Sequence, residues 1–527
     1  MANIISGISH PELVIGIAGP IGIDIEAITA SIEDSLSSVG YRSTQIRITD
    51  EVKDIQNRFK APAKTDYYSV IRFKMSHASE ICRKNRDSAY LMRIAIDAIQ
   101  RERAACAQTV IDKSKTKGKK PPSTDSGRVS EKIAYIIRQI KRPQEVKLLR
   151  EVYGKQFVLV SAYGSEADRK GVLEEKLTRS MSLGTKSSKI RANVEELIQI
   201  DADEAEDKFG QHMRDAFHLA DVFVDGIAKG PMKQKVARFI DALFGLNDIA
   251  PTKHEYGMYA AKSASLRSSD LSRQVGAAVF SDGGELLTQG CNEVPRAFGG
   301  TYWDGEEPDY RDIKIGSDPN EIIKIDVIRD FLERLAEAKL LSQSANGNAS
   351  DLVDRLTNPK SATNKGPGAG CLKGALITDL TEYGRVVHAE MSALCDAARC
   401  GVSVRSATLF CTTFPCHNCT KHIIAAGIRR VIFMEPYPKS RAKELHQNEI
   451  SIEKPSEGKV SFLPFLGISP FRYRDIFQKD RRKTGSVARK WYFGEPQPMV
   501  EVTAPTYLQL EDLALVGLIG EVKITQS

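Results

Sequence analysis

Short apolar runs alternate with helical patterns in the first half of the chain. Residues 13–18 (LVIGIA) form a continuous apolar run that breaks into a glycine turn at 19–22 and is followed by helical periodicity from about 24 to 36. Comparable apolar runs recur at 157–161 (FVLVS) and 222–224 (VFV), with helical patterns such as 131–151 between them. This alternation of β and α patterns predicts a mostly parallel sheet covered by helices.

A second series of patterns begins after residues 248–256 (DIAPTKHEY), which mark a join between domains. A helical pattern follows, and then a strand-like run from 275 to 280. The chain has 527 residues, which is too long for one ordinary core. We therefore predict a first domain over 1–250, a second domain over 251–500 and a C-terminal tail over 501–527.

Two segments have no hydrophobic periodicity. Residues 113–128 (KSKTKGKKPPSTDSGR) are rich in lysine, and residues 341–370 are rich in Ser, Asn and Gly. We expect the first to be a surface loop that either binds RNA or another polyanion or is simply solvated, as most charge runs are. We expect the second to be a loop or insertion near the functional site.

Composition places the protein among ordinary globular chains. Hydrophobic residues make up 41% and charged residues 27% of the chain, and no apolar run reaches the roughly 18–20 residues that a bilayer span needs. The N-terminus has no basic residue before its apolar stretch, which argues against a cleaved signal peptide. Nine cysteines, an odd number, fit a reducing compartment, so we expect a cytoplasmic protein without membrane association. The net charge of +7 is too modest to identify a partner.

Two short segments of the second half carry residues that bind metals. Residues 388–390 read HAE and open a helical stretch, and residues 415–419 read PCHNC after a strand-like run. Cys416 and Cys419 are three apart, so at a helix N-terminus both thiols fall on one face, where the helix dipole favours thiolate. With His388 as the third ligand, a tetrahedral zinc ion keeps its fourth position for water, as in catalytic sites.

Glu390 lies two residues after His388 and therefore beside the predicted metal. Zinc lowers the pKa of a bound water, and a carboxylate here can take the water proton and pass it to a ring nitrogen and departing ammonia. The H-x-E and P-C-x-x-C pairing, with 28 positions from His388 to Cys416 (416 − 388), resembles the signature of zinc nucleobase deaminases. The alternative is a structural zinc site, which needs a fourth protein ligand such as His417 or His422.

The resemblance to the deoxycytidylate deaminase family extends beyond the metal motif. Residues 267–279 (RSSDLSRQVGAAV) resemble that family's opening helix and first strand, and residues 290–295 (GCNEVP) resemble its glycine, asparagine and proline turn. The resemblance implies a three-layer α/β/α domain with a five-stranded mixed sheet. It also implies that Asn292 contacts the substrate sugar or base, that the backbone N–H of Ala389 meets the pyrimidine carbonyl, and that the protein is a homo-oligomer, with a hexamer as one form.

The complete architecture resembles the bacterial anti-phage dCTP/dCMP deaminases, which carry a kinase-like N-terminal domain. Residues 433–440 (FMEPYPKS) and 463–473 (LPFLGISPFRY) resemble this longer subset. The resemblance implies a deoxycytidine nucleotide as substrate and depletion of the dCTP pool during phage infection. Some of these systems are held inactive by a small RNA, so the resemblance also implies an inhibitory small RNA as a partner, for which residues 113–128 offer a basic surface.

The first domain is predicted to be a P-loop kinase-like domain with a degenerate phosphate loop. Residues 19–26 (GPIGIDIE) stand where a GPxGxGKS loop belongs, but Ile25 replaces the phosphate-binding lysine and Glu26 replaces the magnesium-binding hydroxyl. Backbone N–H groups around Gly19 and Gly22 can still bind a nucleotide phosphate, although nearby acidic residues oppose it. Nucleotide sensing, a structural or oligomerising role, and recognition of a phage component remain open.

We predict zinc-dependent hydrolytic deamination of dCTP and/or dCMP, with Glu390 as the general acid/base. A deaminase of DNA or RNA is one rival, because such enzymes share the core signature, but it needs a basic channel rich in aromatic residues. A non-catalytic nucleotide- or RNA-sensing regulator with a structural zinc is the second rival. The presence of Glu390 argues against it, because a structural zinc does not need that carboxylate.

Overall fold

The computed structural model describes residues 8–63, 66–116, 130–181, 185–202, 209–341, 349–357, 370–372, 374–437, 439–500, 502 and 505–522. The chain divides into two compact units. The first comprises residues 1–256 and 464–527, and the second comprises residues 257–463. Most of the lysine-rich stretch, 117–128, and much of the stretch 341–370 lie outside the described residues.

The N-terminal part of the first unit alternates strands and helices, as predicted. Its strands are β1 (Leu13–Ala18), β2 (Arg42–Arg47), β3 (Ile133–Ile140), β4 (Phe157–Tyr163) and β5 (Val222–Asp225). Its helices are α1 (Ile25–Ser38), α2 (Ile48–Glu51), α3 (Tyr67–Lys84), α4 (Tyr90–Thr116), α5 (Pro143–Tyr153), α6 (Glu166–Ser180), α7 (Ser187–Ala202), α8 (Met213–Phe217) and α9 (Lys229–Leu243).

The sheet of the first unit is parallel over these strands, in the order β5, β4, β1, β3, β2. Its centre is β1, whose six residues are all buried. Such continuous apolar strands are typical of parallel sheets that are covered on both faces. Helices α1 and α9 contribute Ile28, Ile32, Phe239 and Ile240 to the core. The parallel sheet that the sequence predicted is confirmed, whereas a kinase-like identity stays a prediction.

One prediction in this region is wrong. The helical pattern assigned to 131–151 covers strand β3 at Ile133–Ile140, and only α5, which begins at Pro143, is helical. Seven of the eight β3 residues are buried, because the strand lies between β1 and β2. Its sequence, IAYIIRQI, is an apolar run without a polar face, and periodicity cannot distinguish such a strand from a buried helix.

The second unit contains a mixed sheet and seven α-helices among the described residues. Its helices are α10 (Lys253–Ser265, which begins in the first unit), α11 (Asp312–Ile315), α12 (Pro319–Glu337), α13 (Ala349–Thr357), α14 (Ala389–Arg399), α15 (His417–Ala425) and α16 (Ala442–Leu445). Its strands are β6 (Gly276–Phe280), β7 (Leu286–Cys291), β8 (Thr408–Thr413), β9 (Arg430–Glu435), β10 (Ile450–Ile452) and β11 (Val460–Pro464).

The order of this sheet is β10, β11, β9, β8, β6, β7. Strand β6 is antiparallel to β7 and β8, whereas β8 is parallel to β9, so the sheet is mixed as expected. It has six strands where five were expected, because the three-residue strand β10 pairs with β11 at the edge. The family's opening helix was expected at the start of 267–279, but α10 ends at Ser265 and strand β6 begins at Gly276.

The C-terminal segment returns to the first unit. It contains β12 (Gly467–Ile468), α17 (Tyr473–Phe477), β13 (Lys483–Thr484), β14 (Val487–Ala488) and α18 (Tyr507–Val522). Strand β12 pairs antiparallel with β5 and so extends the first sheet. The second compact unit therefore ends at residue 463 and not at the predicted residue 500. Among the described residues, no helix is long and apolar enough to span a membrane.

Candidate functional site

Three side chains from two helix starts converge in the second unit. His388 immediately precedes α14, and Cys416 immediately precedes α15, which also carries Cys419. The His388 Nδ1 atom lies 3.3 Å from the Cys416 Sγ atom and 3.4 Å from the Cys419 Sγ atom. All three candidate ligand atoms lie within 4.8 Å of one another.

The donor set and its spacing fit a zinc ion. Tetrahedral zinc with Zn–S bonds near 2.3 Å and Zn–N bonds near 2.0 Å keeps its nitrogen and sulfur ligands about 3.5 Å apart, close to the distances found here. The cluster found among the described residues has three members and includes neither His417 nor His422. Three protein ligands leave one tetrahedral position open, which is the pattern of a catalytic site.

The electrostatics of the cluster favour a thiolate. A hydrogen bond with the Cys419 thiol lowers the pKa of Cys416 well below its usual range. A hydrogen bond with Cys416 in turn raises the pKa of His388. The Cys416 Sγ atom also accepts a hydrogen bond of 3.4 Å from the Cys419 backbone N–H. The surroundings of Cys416 thus favour its thiolate, which is the form of cysteine that binds metals.

Glu390 lies in the first turn of α14, next to the cluster. Its side chain is only 4% exposed. Burial raises the pKa of its carboxyl group, and the raised value is opposed in part by His388. A buried carboxyl with a raised pKa is suited to exchange protons with a substrate.

His388, Glu390 and Cys416 line a pocket of about 210 Å³. The backbone around Ala389, the first residue of α14, also lines it, and the first N–H groups of a helix have no partner within the helix. The aromatic ring of Phe414 lines the pocket and packs edge-on against Phe433. Other lining residues are Thr381, Gly384, Arg385, Val386, Asp312, Asp318 and Asn320.

The segment 268–275, which we call the pocket loop, brings Arg273 to the pocket. The Arg273 guanidinium stacks over the ring of Tyr437 at 5.0 Å, and both residues line the cavity. Asn292 holds this loop, since its Oδ1 atom accepts a hydrogen bond of 2.7 Å from the Val275 N–H and its Nδ2 atom donates one of 2.8 Å to the Arg273 carbonyl. Asn292 also lines the pocket, and the direct substrate contact expected of it stays a prediction.

Arg385 lines the pocket, but its guanidinium is engaged. It donates to Asp312 Oδ1 at 2.9 Å and to the Tyr310 carbonyl at 2.9 Å. Tyr383 and Arg267 are not among the lining residues, and Arg267 stacks on Trp303 instead. Arg273 is therefore the pocket arginine with fewer competing side-chain partners.

The glycine turn of the first unit is placed in a different setting. The Ile21 N–H donates to Asp201 Oδ2 at 2.6 Å, and Lys141 donates to Asp201 Oδ1 at 2.6 Å and to the Gly19 carbonyl at 2.7 Å. Gly22 has a φ of +98°, and a Cβ atom on it would lie 2.9 Å from Arg169, so this turn requires glycine. The Asp201 carboxylate thus already accepts a hydrogen bond from the Ile21 N–H of this turn. Nucleotide binding at Gly19 and Gly22 stays a prediction.

Two residues of the site were not predicted from the sequence. Tyr437 was part of a quoted segment without a role, and Glu293 was passed over beside Asn292. The partners of Glu293 lie at Ser269, 24 positions away, so no local motif identifies them. The predicted residues His388, Ala389, Glu390, Asn292 and Cys416 all line one pocket, with Cys419 completing the cluster.

Comparison with known proteins identifies the region that contains this cluster. Residues 251–435, less than half of the chain, match the family model described as the cytidine and deoxycytidylate deaminase zinc-binding region. His388, Cys416 and Cys419 all lie within this range. Zinc as the predicted cofactor is thereby confirmed, whereas the assignment of these three side chains as its ligands stays a prediction.

Relatives match over short stretches. The chain is 40% identical to deoxycytidylate deaminase of Enterobacteria phage T2 over 55 residues, which cover 10% of this chain and 29% of the phage protein. It is 41% identical to the human deoxycytidylate deaminase over 54 residues, or 10% of this chain and 29% of that protein. It is 38% identical to ComE operon protein 2 of Bacillus subtilis over 65 residues, which cover 12% of this chain and 34% of that protein. The chain thus matches about a third or less of the length of these relatives.

A solved structure also resembles part of the chain. It is the apo dCMP deaminase of cyanophage S-TIM5, with 19% identity and a TM-score of 0.21. The alignment covers 41% of this chain and 99% of the cyanophage protein. So low a TM-score supports no inference about geometry.

Proposed function

We propose that the protein hydrolytically deaminates deoxycytidine nucleotides, dCMP and/or dCTP, to the corresponding deoxyuridine nucleotides and ammonia. The observation that carries this proposal is the convergence of His388, Cys416 and Cys419 beside the buried carboxyl of Glu390 at one pocket. The family match over 251–435 supports the same reaction type.

Each group at the pocket has a separate role in the proposed reaction. Zinc held by the three ligands would supply Lewis acidity and a water of lowered pKa. Glu390 takes a proton from the attacking water and delivers protons to the ring nitrogen and to the departing amino group, which leaves as ammonia. Ala389 lines the pocket at the start of α14, where the first N–H groups have no partner within the helix, and its backbone N–H would donate a hydrogen bond to the pyrimidine carbonyl.

The charges around the pocket support a small nucleotide as the substrate. Arg273, stacked on Tyr437, offers a guanidinium to a phosphate group. Asp270, Asp312 and Asp318 also line the cavity, so it is no continuous basic groove. A polynucleotide needs a basic channel with aromatic stacking platforms, and this mixture of charges does not favour one.

Other parts of the proposal rest on the resemblance of the sequence alone. They are the depletion of dCTP in anti-phage defence, assembly into a homo-oligomer such as a hexamer, and control by an inhibitory small RNA. Each stays a prediction.

The substitution Glu390→Gln separates a catalytic zinc from a structural one. We expect it to lower turnover by about 10²- to 10⁴-fold while the purified protein keeps one zinc per chain and its melting temperature, because Gln fills the same space but cannot exchange the proton. Zinc content, thermal unfolding and product formation are measured on the same preparation. Unchanged turnover in the variant would instead favour the regulator with a structural zinc.

A further inference from the structure

We infer that Glu293 is a positioning residue, which ties the pocket loop to the segment that carries the metal ligand His388. This inference rests on the proposed function, because its effect on catalysis is an effect on binding of the nucleotide. Glu293 follows β7 directly after Asn292, and it is only 2% exposed.

The side chain of Glu293 holds the first part of the pocket loop. Its Oε2 atom accepts hydrogen bonds from the Ser269 N–H at 2.9 Å and from the Ser269 hydroxyl at 2.6 Å. Its Oε1 atom accepts a hydrogen bond of 2.9 Å from the Val294 N–H. A buried carboxylate that accepts several hydrogen bonds fixes its partners strongly, since charge-assisted bonds are the stronger class.

The backbone of Glu293 pairs with Val387, the residue before the metal ligand His388. Its N–H donates to the Val387 carbonyl at 3.2 Å, and its carbonyl accepts from the Val387 N–H at 3.0 Å. Val387 is the residue before His388, so this reciprocal pair fixes the chain where it enters α14. One residue therefore contacts both the loop that carries Arg273 and the segment that carries a metal ligand.

The pocket loop has a second attachment at its far end. Asn292 binds the Arg273 carbonyl and the Val275 N–H, as described above. Within the loop, Asp270 Oδ1 accepts from the Arg273 N–H at 3.2 Å. Glu293 and Asn292 thus hold the two ends of the loop, and Arg273 lies between Ser269 and Val275. Loss of the Glu293 carboxylate removes the hydrogen bonds that hold Ser269, while the metal ligands keep their own contacts.

The first experiment compares steady-state kinetics of Glu293→Ala, Glu293→Gln and the wild-type protein with dCMP and dCTP. We expect KM of Glu293→Ala to rise about tenfold or more, the effect expected for loss of a charge-assisted hydrogen bond, with kcat nearly unchanged. Zinc content should also be unchanged. Glu293→Gln should lie between, because it keeps one acceptor oxygen in the same volume.

Two further variants control this result. Ser269→Ala removes only the hydroxyl that donates to Glu293, so its KM should rise less than that of Glu293→Ala. This variant keeps the inference testable if Glu293→Ala fails to fold. Glu255→Gln alters another buried carboxylate, which accepts hydrogen bonds from Arg238 and from the Thr252 and Ile468 N–H groups in the first unit. It should leave KM unchanged.

Hydrogen exchange tests the same inference without turnover. Amides of residues 268–275 should exchange faster in Glu293→Ala and in Ser269→Ala than in the wild type, whereas those of 417–425 should not. If the wild type deaminates no nucleotide, the proposed function fails and the exchange data still test the attachment. Unchanged exchange over 268–275, or a fall in kcat with loss of zinc and no change in KM, would overturn the positioning role.

Discussion

At the scale of single residues, the site depends on the positions just before two helices. His388 and Cys416 both have extended backbone conformations and stand immediately ahead of α14 and α15. Such positions place a ligand near the N–H groups of the first helical turn and the positive end of the dipole. The sequence predicted this part because HAE and PCHNC are local motifs, in which spacing alone decides which side chains share a face.

Replacing a ligand should remove the metal. We expect Cys416→Ser to reduce the zinc content well below one ion per chain and to abolish activity, because a hydroxyl is a much poorer zinc ligand than a thiolate. Elemental analysis of the purified variant checks this. Cys400→Ser, at an exposed cysteine near the end of α14, is the matched control and should keep zinc and activity. Full zinc occupancy in Cys416→Ser would contradict the assigned ligand set.

The two arginines of the pocket should differ in their effect. We expect Arg273→Ala to raise KM by about 10- to 100-fold with a smaller effect on kcat, since it removes a charge-assisted contact to phosphate. The unphosphorylated nucleoside should be affected much less. Arg385→Ala should chiefly release Asp312 and residue 310 from their contacts and lower stability. Equal losses for deoxycytidine and dCMP in Arg273→Ala would count against a phosphate contact.

At the scale of elements, the position of α14 depends on close contact with β7. A Cβ atom on Gly290 would lie 2.5 Å from the Ala393 N atom and 2.6 Å from the Ala389 carbonyl oxygen. Both of these are backbone atoms of the helix that follows His388, so no side chain can move aside. The glycine in GCNEVP is thus explained by the approach of a helix and not by turn geometry.

We expect Gly290→Ala to destabilise the protein by about 1–3 kcal/mol, the usual result of overpacking, and to lower zinc affinity, because α14 must shift. Thermal unfolding and zinc titration measure the two effects. Gly458→Ala is the matched control in the same unit, since a Cβ atom there meets nothing within 4 Å. If Gly290→Ala matched the wild type in both, α14 would not depend on this contact.

The sequence predicted elements well where a turn residue ends an apolar run or a local motif opens a helix. Strand β1, the starts of α14 and α15, and strand β6 agree with the prediction. It failed at β3, an apolar run that no glycine turn separates from α5, so the two elements were assigned to one helix. The attachments of the pocket loop were also missed, because Glu293 and Asn292 reach residues 17 to 24 positions earlier, and such pairs exist only once β7 lies beside that loop.

At the scale of the whole molecule, helix α18 near the C-terminus contributes side chains to a buried charge cluster of the first unit. Arg103 of α4 is buried and donates to Glu12, ahead of β1, and to Glu511 of α18, with four of these contacts at 2.8–2.9 Å. Tyr507 of α18 also donates to Glu12 at 3.1 Å. A helix near the C-terminus thus completes a buried charge cluster that begins at residue 12. The predicted tail over 501–527 carries this helix.

Loss of the α18 carboxylate should destabilise the first unit. We expect Glu511→Ala to lower the free energy of unfolding by about 3 kcal/mol or more, because it breaks a buried charge cluster, while zinc binding by the second unit persists. Asp512→Ala, at the exposed neighbour on the same helix, should change stability by less than about 0.5 kcal/mol. Denaturant unfolding measures both. Equal stabilities of the two variants would contradict a structural role for the cluster.

The most direct test of the central claim is product formation by the purified protein. It is offered dCMP, dCTP, CMP, CTP and single-stranded DNA separately, with Glu390→Gln as the control, and uracil products and ammonia are quantified by chromatography. The expectation is that dCMP or dCTP is converted, that single-stranded DNA is not, and that the control loses about 10²- to 10⁴-fold in rate. Conversion of DNA alone, or no conversion of any compound by zinc-loaded protein, would contradict it.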